Sequence, residues 1–343
     1  MMLSQARAMS YLARNLTAPN TGASIMAMNR IQFQHGMSLP DFMRKFGAEE
    51  QCSQAVKLAR WPDGFRCPRC DASAHYIIGH GARCLFQCNG CRHQTSVIAG
   101  TLFSGTKLPL TTWFLAIYLI SQAKTGLSSL ALKRQLGVSY PTAWLMQHKI
   151  SRAMMQVESD RRLDGAVQLD DAYLGGERSG GKVGRGSENK VPFVAAVSLT
   201  GEGFPLYLKL SPVTGFTLDA IESWAKKNLC ATAIVTSDGL GCFAAVVNAG
   251  CRHQPIVVGV RKPRDLPEFT WVNTVLGNLK TTLAGAFHAF SYRKYATSYF
   301  AAFVYRFNRR FDLRGLVASL ITDVARTLPL VQRVIRGNAE AHC

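Results

Sequence analysis

The chain has 343 residues, of which 48% are hydrophobic and 18% are charged, so it can bury a sizeable core and is not disordered throughout. This length corresponds to about two or three domains. The longest apolar run, residues 113–123, is shorter than the roughly 20 residues of a membrane span, so we expect no membrane partner. Lys and Arg total 40 against 21 Asp and Glu, and the net charge of +19 predicts a polyanionic partner, with nucleic acid foremost.

The first residues, 1–36, show little periodicity and lack the continuous apolar segment of a signal peptide. We interpret them as a disordered arm or as the product of an upstream start codon, with Met26, Met28 or Met37 as the true start. Without a secretory signal the chain is expected in the cytoplasm, where clustered cysteines hold metal rather than form disulfides. Residues 37–64 are predicted to form a short helical segment that ends at a Pro-Asp-Gly sequence.

Two Cys-x-x-Cys pairs separated by 17 residues lie in the next predicted domain, residues 65–104. Each pair turns tightly enough to aim two thiolates at one ion, and two pairs supply the four sulfurs of a closed structural Zn²⁺ site. A redox dithiol needs only one such pair, so the pattern favours a zinc ribbon. The predicted ligands are Cys67, Cys70, Cys88 and Cys91, whereas Cys84 is interpreted as a packing residue and His75, His80 and His93 as non-ligands.

Residues 108–156 are predicted to form three helices, and the last two have the layout of a DNA-binding helix-turn-helix. Gly137 marks the turn, and Ser139 is a natural cap for the helix that would enter the major groove. A helical hairpin with no role in DNA binding would show the same pattern, and that alternative stays open. Candidate base contacts are Ser139, Tyr140 and Thr142, and candidate phosphate contacts are Lys133, Arg134, Lys149 and Arg152.

Residues 164–315 alternate strand-like and helical segments in the order of an RNase H-like domain, with a mixed five-stranded sheet whose fifth strand is predicted at 254–260. The whole chain is therefore predicted to be a multidomain protein of α+β and α/β class, in which the zinc ribbon and helix-turn-helix precede the catalytic domain. Residues 316–343 are predicted to form a C-terminal helical tail.

Two-metal phosphodiester chemistry needs one carboxylate that bridges ions about 4 Å apart and a further oxygen ligand for each ion. The predicted first strand offers Asp170 or Asp171, and the fourth ends at Asp238. Because neighbouring side chains on a strand point to opposite faces, we expect only one of Asp170 and Asp171 to face the metals, and periodicity does not decide between them. Taken alone, Asp238 precedes a glycine and would equally be a turn residue with no metal. Asn273 taken alone would equally be a helix cap.

Seven stretches carry a resemblance that extends over about residues 30–315: SLPDFMRKFGAEEQC, RWPDGFRCPRC, QLGVSYPTAW, VQLDDAYLGG, IVTSDGLGCF, WVNTVLGNLKTTLAGAFH and YRFNRRFDL. Together they resemble the bacterial insertion-sequence transposases of the DDE superfamily, in the group related to Merlin-type elements that has a zinc ribbon and Asn as third metal ligand. The resemblance implies that Asp170, Asp238 and Asn273 hold two Mg²⁺ or Mn²⁺ ions. It also implies that Lys280 contacts a phosphate near the cleaved bond.

The same resemblance implies an enzyme that cuts double-stranded DNA at the terminal inverted repeats of its element and joins the 3′ ends to target DNA. Such an enzyme is expected to act as a homodimer or higher homo-oligomer on the nucleoid. Two departures from the family pattern could weaken the site: Gln168 replaces the usual Glu, and Gly-Ala-Phe-His ending at His288 replaces Gly-Thr-Tyr-His. An inactive DNA-binding relic or repressor is therefore one alternative, and a nuclease or resolvase with the same core is another.

Two further segments are basic. The loop at 175–186 has six glycines in 12 residues, and because Val183 stands where a nucleotide-binding loop needs Ser or Thr, we interpret it as a hairpin tip that touches DNA. The segment YRFNRRFDLR (305–314) mixes aromatic residues and arginines on a predicted helix. Contact with the DNA backbone and a solvated helix face are equally supported there.

Overall fold

A computed structural model of the chain describes residues 34–79, 84–175, 190–262, 265–287 and 291–337. The predicted arm up to residue 33, His80, His288 and most of the glycine-rich loop lie outside the described residues. Across these five ranges, no helix is long and apolar enough to cross a membrane.

The N-terminal part combines two helices with a small antiparallel sheet. Helix α1 (Leu39–Phe46) begins at Ser38, whose hydroxyl accepts the Asp41 N–H, and α2 (Glu49–Arg60) follows directly. The sheet has the order β1-β2-β3 and forms the ribbon that carries the clustered cysteines. Its strands are β1 (His75–Ile78), β2 (Leu85–Cys88) and β3 (Gln94–Ser96).

Three helices follow the ribbon: α3 (Leu110–Gln122), α4 (Ser129–Leu136) and α5 (Tyr140–Ser159). Helix α4 ends at Gly137, which has a φ of 66° that favours glycine, and its N–H donates to the Lys133 carbonyl. Helix α5 begins after Ser139, whose hydroxyl accepts the Thr142 N–H at 3.3 Å. The α4–turn–α5 hairpin therefore arises from local capping chemistry that is readable in the sequence.

The second part is a five-stranded sheet of order β6-β5-β4-β7-β8. The β4–β5 and β5–β6 pairs are antiparallel, whereas the β4–β7 and β7–β8 pairs are parallel. Helix α6 (Leu218–Asn228) makes the crossover from β6 to β7. This topology confirms the predicted RNase H-like fold class. The strands are β4 (Ala166–Leu174), β5 (Val191–Leu199), β6 (Pro205–Pro212), β7 (Ile234–Ser237) and β8 (Arg252–Pro255).

The predicted fifth strand at 254–260 was wrong in its position. Strand β8 lies at Arg252–Pro255, where its last residue pairs with Ser237, the end of β7. Beyond that point the neighbouring strand has ended, so the ladder has no partner to continue on. The apolar run Ile256–Val260 belongs instead to a connecting loop.

Helices cover both faces of this sheet. Helix α6 packs on one face in a core that includes Val167, Trp224 and Phe243. Helix α7 (Thr270–Ala286) and α8 (Tyr292–Asn308) pack on the other, against Phe193 of β5. The sheet is thus buried on both sides, and its strand ends are the places where polar side chains can meet.

The segment predicted as a C-terminal helical tail, 316–343, contains helices as far as residue 337, but its first helix packs against the core and does not extend as a tail. Helix α9 (Leu316–Arg326) packs against α2, α3 and α5, and a short α10 (Gln332–Gly337) follows it. The buried side chains Val317, Leu320 and Val324 join the same core as the N-terminal helices. Their helical spacing creates an apolar stripe that requires a partner, so the end of the chain completes the core built at its beginning.

Three of the four arginines in segment 305–314 make contacts within the fold, whereas Arg314 is exposed. Arg306 donates to the Ile120 carbonyl at 3.2 Å, Arg310 donates to the Leu206 carbonyl at 3.0 Å, and Arg309 pairs with the buried Glu158. Burial lowers the pKa of Arg306 to about 10. These side chains fasten α8 to the helical core on one side and to the sheet on the other.

The predicted N-terminal arm, 1–36, also reaches into this junction at its last residues. Gln34 donates to the Arg310 carbonyl at 2.6 Å and accepts the Leu313 N–H at 3.0 Å. Gln34 thus contacts the folded core, whereas residues 1–33 of the arm lie outside the described residues.

Candidate active site and zinc centre

The acidic cluster arises from the pairing of two parallel strands. Leu169 of β4 lies opposite Ser237, the last residue of β7, so the next residue of each strand, Asp170 and Asp238, emerges at the same edge of the sheet. Oxygen atoms from the carboxylates of Asp170, Asp171 and Asp238 lie within 4.8 Å of one another. This spacing suits oxygen ligands of shared divalent cations.

Asp171 was expected to point away from this cluster if Asp170 faces it, and that expectation was wrong. Strand β7 pairs with β4 only as far as Leu169, so beyond this residue β4 has β5 on one side and an open edge on the other. An aspartate at an open edge can turn its carboxylate toward either face. The strict alternation of side chains therefore does not separate Asp170 from Asp171.

The carboxylates of the cluster repel one another. Burial, together with the charges of Asp171 and Asp238, raises the pKa of Asp170 to about 7, while Lys280 opposes the shift. Backbone N–H groups orient two of the carboxylates: Asp170 Oδ1 accepts from Asp171 at 2.9 Å, and Asp238 Oδ1 accepts from Leu240 at 3.0 Å. Fixed, half-buried and mutually repelling carboxylates are the electrostatic setting that a divalent cation relieves.

Gln168 links the strand of Asp170 to the helix of Asn273. Its side chain is 5% exposed, and its Oε1 accepts the backbone N–H groups of Trp271 and Val272, each at 3.0 Å. The start of α7 is therefore attached to β4 immediately before Asn273. The departure from Glu at this position retains the acceptor oxygen, and sequence reasoning missed the contact because its partners lie more than 100 positions away.

Asn273 and Lys280 both lie on α7 and are exposed. They are seven residues apart, about two helical turns, so they share one face of the helix. The effect of Lys280 on the pKa of Asp170 shows that its ammonium group lies within electrostatic reach of the cluster. The other departure, the sequence ending at His288, extends outside the described residues.

The loop after β7 has a support that the sequence did not reveal. The buried Ser237 hydroxyl lies 2.8 Å from Nε2 of His253 on β8 and also accepts the Gly239 N–H at 3.3 Å. These contacts brace the residues on both sides of Asp238. A serine and a histidine 16 positions apart carry no motif, so only the parallel pairing of β7 and β8 could bring them together.

The four predicted zinc ligands lie together in the ribbon. The Sγ atoms of Cys67 and Cys91 are 3.6 Å apart, those of Cys70 and Cys88 are 3.5 Å apart, and all four lie within 4.8 Å of one another. Zn–S bonds of about 2.3 Å in a tetrahedron place sulfurs about 3.8 Å apart, close to this arrangement. Within the described residues, His75, His93 and Cys84 do not belong to this cluster.

The two cysteine pairs have the same backbone geometry. The residue after each pair adopts a left-handed conformation, with a φ of 58° at Asp71 and 61° at Arg92. Its N–H donates to the carbonyl of the first cysteine, from Asp71 to Cys67 at 2.9 Å and from Arg92 to Cys88 at 3.1 Å. This repeated turn aims both thiols of a pair at one point, as a closed metal site requires.

Protonation differs among the thiols. The backbone N–H of Cys91 lowers the pKa of Cys88 to about 7. The N–H of Ala72 favours the Cys70 thiolate, but the neighbouring thiols of Cys91 and Cys88 outweigh it and raise the pKa of Cys70 to about 12. A cluster that retains protons in this way releases them when a metal binds.

Two family models match the chain. One, described as an ISXO2-like transposase domain, matches residues 162–308, which include the acidic cluster and α7. The other, described as a transposase zinc-ribbon domain, matches residues 47–94, which include the four cysteines. The chain belongs to the insertion-sequence transposases of the DDE superfamily. The four-cysteine cluster of this transposase is a structural zinc site.

A relative from Halobacterium salinarum, an uncharacterized protein in transposable element ISH50, is 28% identical over 179 residues. The match covers 47% of the transposase and 58% of that protein, so the chain spans little more than half the length of this relative. The crystal structure of a pre-cleavage Mos1 transpososome shares 12% identity, with a TM-score of 0.20 over 60% of the transposase and 77% of that chain. A likeness at this TM-score supports no conclusion about the transposase.

The helix-turn-helix candidates of the transposase divide by exposure. Ser139 and Tyr140 are exposed at the start of α5, and Thr142 is half-buried beside them. Lys149 lies over the Trp113 ring, 5.9 Å from its centroid, and Arg152 is half-buried. Lys133 and Arg134 are exposed on α4. The first turn of α5 and one side of α4 are thus accessible, whereas most of the remaining α5 is packed into the helical core.

Proposed function

We propose that this transposase cuts double-stranded DNA at the terminal inverted repeats of its insertion sequence and joins the freed 3′ ends to target DNA. The observation that carries the proposal is the cluster of Asp170, Asp171 and Asp238 carboxylates within 4.8 Å, at the sheet edge of an ISXO2-like transposase domain.

The donor set fits divalent metal ions such as Mg²⁺ or Mn²⁺. All its candidate ligands are hard oxygens, and because burial and the neighbouring carboxylates raise the pKa of Asp170, a bound cation would stabilise its charged form. The Asp170 and Asp238 carboxylates and the Asn273 carbonyl oxygen would hold the ions. When bound, such ions neutralise the phosphate and lower the pKa of a bound water.

Residues of the chain itself would position the proposed metal ligands and neutralise the phosphate charge. Gln168 holds the start of α7 against β4, which sets the distance of Asn273 from Asp170. Lys280 would contact a phosphate oxygen near the cleaved bond. Water is the first nucleophile and the freed 3′-hydroxyl is the second, so no covalent intermediate on a serine or cysteine is needed.

DNA recognition is assigned to the helix-turn-helix, with the exposed first turn of α5 facing the bases. Ser139, Tyr140 and Thr142 would face base edges, while Lys149 and Arg152 would approach the backbone. Helix α5 is packed against α8, so this surface is rigidly connected to the catalytic domain. Both ends of an element must be held together during joining, which implies a homodimer or higher homo-oligomer on DNA, acting on the nucleoid in the cytoplasm.

The test is a cleavage and strand-transfer assay on duplexes that carry the element's own ends, with Mg²⁺ and separately with Mn²⁺. Asp170→Asn should abolish cutting and joining while DNA binding persists, and Asp219→Asn, an exposed aspartate on α6, should behave as wild type. Asp171→Asn compares the rival carboxylate directly. Binding without cutting in either metal would favour a relic or repressor, and cutting without joining would favour a nuclease.

A further inference from the structure

A groove of about 530 Å³ lies between the zinc ribbon and the C-terminal helix α9. Four arginines line it: Arg60 from the end of α2, Arg66 and Arg69 around the first cysteine pair, and Arg326 from the end of α9. We call it the arginine groove. It lies outside the acidic cluster and outside the helix-turn-helix, so neither proposed site accounts for its charge.

Two of these arginines are held in place. Arg60 lies over the Trp61 ring, 4.4 Å from its centroid, and its Nη1 donates to the Ser96 and Val97 carbonyls at 2.9 and 2.7 Å. Arg326 donates from Nε to the Ala59 carbonyl at 2.9 Å. Among the described residues, Nη2 of Arg60 and both Nη atoms of Arg326 make no hydrogen bond, so each guanidinium retains donors after its anchoring contact.

Positive charge dominates the groove. Its only carboxylate among the described lining residues is Asp71, which lies 3.8 Å from Arg66 with both side chains exposed. Arg66 directly precedes Cys67 and Arg69 directly precedes Cys70, so the zinc turn presents both arginines to the groove. An array of guanidiniums from three separate parts of the chain, with one carboxylate opposing them, is suited to an extended anion rather than to a single ion pair.

We propose that the arginine groove binds the phosphate backbone of duplex DNA. This proposal rests on the proposed function, in which DNA is the substrate, and assigns a second DNA contact beyond the helix-turn-helix. Guanidiniums recognise phosphate oxygens bidentately, and contacts to phosphate carry no information about the base sequence. Trp61 is covered by Arg60 and is 8% exposed, so no aromatic face is free for base stacking. The contact is therefore independent of sequence.

The experiment measures the affinity of the full-length, zinc-loaded chain for a duplex with the element's ends and for an unrelated duplex, by fluorescence anisotropy over a range of salt concentrations. The double variant Arg66→Gln/Arg69→Gln and the single variant Arg326→Gln remove groove charges. Each lost phosphate contact should lower the salt slope by about 0.9 and weaken binding about eightfold at 0.1 M salt, equally on both duplexes. Asp71→Asn should strengthen binding, because it removes the opposing charge and Asn tolerates the left-handed backbone.

Arg44→Gln is the matched control, because Arg44 is an exposed arginine on α1 outside the groove. Zinc content and thermal unfolding are measured on every variant. An unchanged salt slope in both groove variants would overturn the proposal. This holds even if Arg66→Gln/Arg69→Gln loses zinc, since Arg66 and Arg69 would then serve only to neutralise the thiolates. Arg326 lies on α9, away from the zinc ligands in the chain, so a reduced slope in that variant with full zinc content supports the proposal. If wild type binds neither duplex, the proposed function itself fails.

Discussion

Gln168 provides the sharpest test of how the fold builds the active site. Its Oε1 is the acceptor for two backbone N–H groups at the start of α7, each at 3.0 Å, and its side chain is 5% exposed. Gln168→Ala removes the acceptor and leaves both N–H groups without a partner. At about 1 kcal/mol for each hydrogen bond, the loss of unfolding free energy should be about 2 kcal/mol. That is the upper part of the range for loss of a helix cap.

The effect on catalysis should exceed what the stability loss explains. Asn273 follows the two tethered residues directly, so a looser start of α7 displaces a proposed metal ligand relative to Asp170. A displacement near 1 Å at a reacting centre costs about 10²-fold in rate. We therefore expect the strand-transfer rate of Gln168→Ala to fall by about two orders of magnitude at a temperature where the variant is fully folded, and the Mg²⁺ midpoint to rise.

Gln168→Glu is the control, because it keeps the acceptor and places a negative charge at a helix N-terminus, where it is favourable. We expect it to retain the rate and the Mg²⁺ midpoint of wild type. The positioning role would be refuted if Gln168→Ala lowered the melting temperature but kept the wild-type rate and Mg²⁺ midpoint. It would also be refuted if Gln168→Glu were as impaired as Gln168→Ala.

Three further perturbations test the site and its supports. Asn273→Asp adds a charge to a neutral proposed ligand, so half-saturation with Mg²⁺ should occur at lower concentration; an unchanged titration would count against Asn273 as a ligand. Cys88→Ser, or removal of zinc by a chelator, should unfold the ribbon and lower the melting temperature, whereas Cys230→Ser should not, as measured by zinc content and thermal unfolding. His148 is 3% exposed and, within the described residues, neither ring nitrogen has a hydrogen-bond partner, and burial lowers its pKa to about 4. Because the unfolded chain takes up this proton at about pH 6.5, stability should be full above that pH and fall by up to about 3 kcal/mol as the pH drops toward 4; denaturant unfolding of His148→Phe should lack this component.

Much of the architecture follows from signals that lie within short stretches of sequence. The cysteine spacing predicts the ribbon, because each pair closes its own turn. Gly137 and Ser139 predict the end of α4 and the start of α5, because caps and turns use residues next to the helix ends. The strand order predicts that Asp170 and Asp238 meet, because parallel neighbours end at the same edge of a sheet.

Other features were decided only by tertiary structure. From the sequence, Arg306, Arg309 and Arg310 were equally consistent with contact to DNA and with a solvated helix face. The packing of α8 between the helical core and β6 instead buries them in hydrogen bonds and an ion pair. Asp171 joins the acidic cluster where β7 has already ended, two residues after its last pair at Leu169, and no periodicity reveals this.

The same holds for contacts between distant parts of the chain. Gln168 reaches α7 across more than 100 residues, and α9 closes the N-terminal core from the far end of the chain. The physical reason is the range of the interactions: caps, turns and side-chain periods are set by neighbours along the chain. A buried hydrogen bond or apolar stripe, in contrast, specifies only that it needs a partner, and the packed fold selects which one.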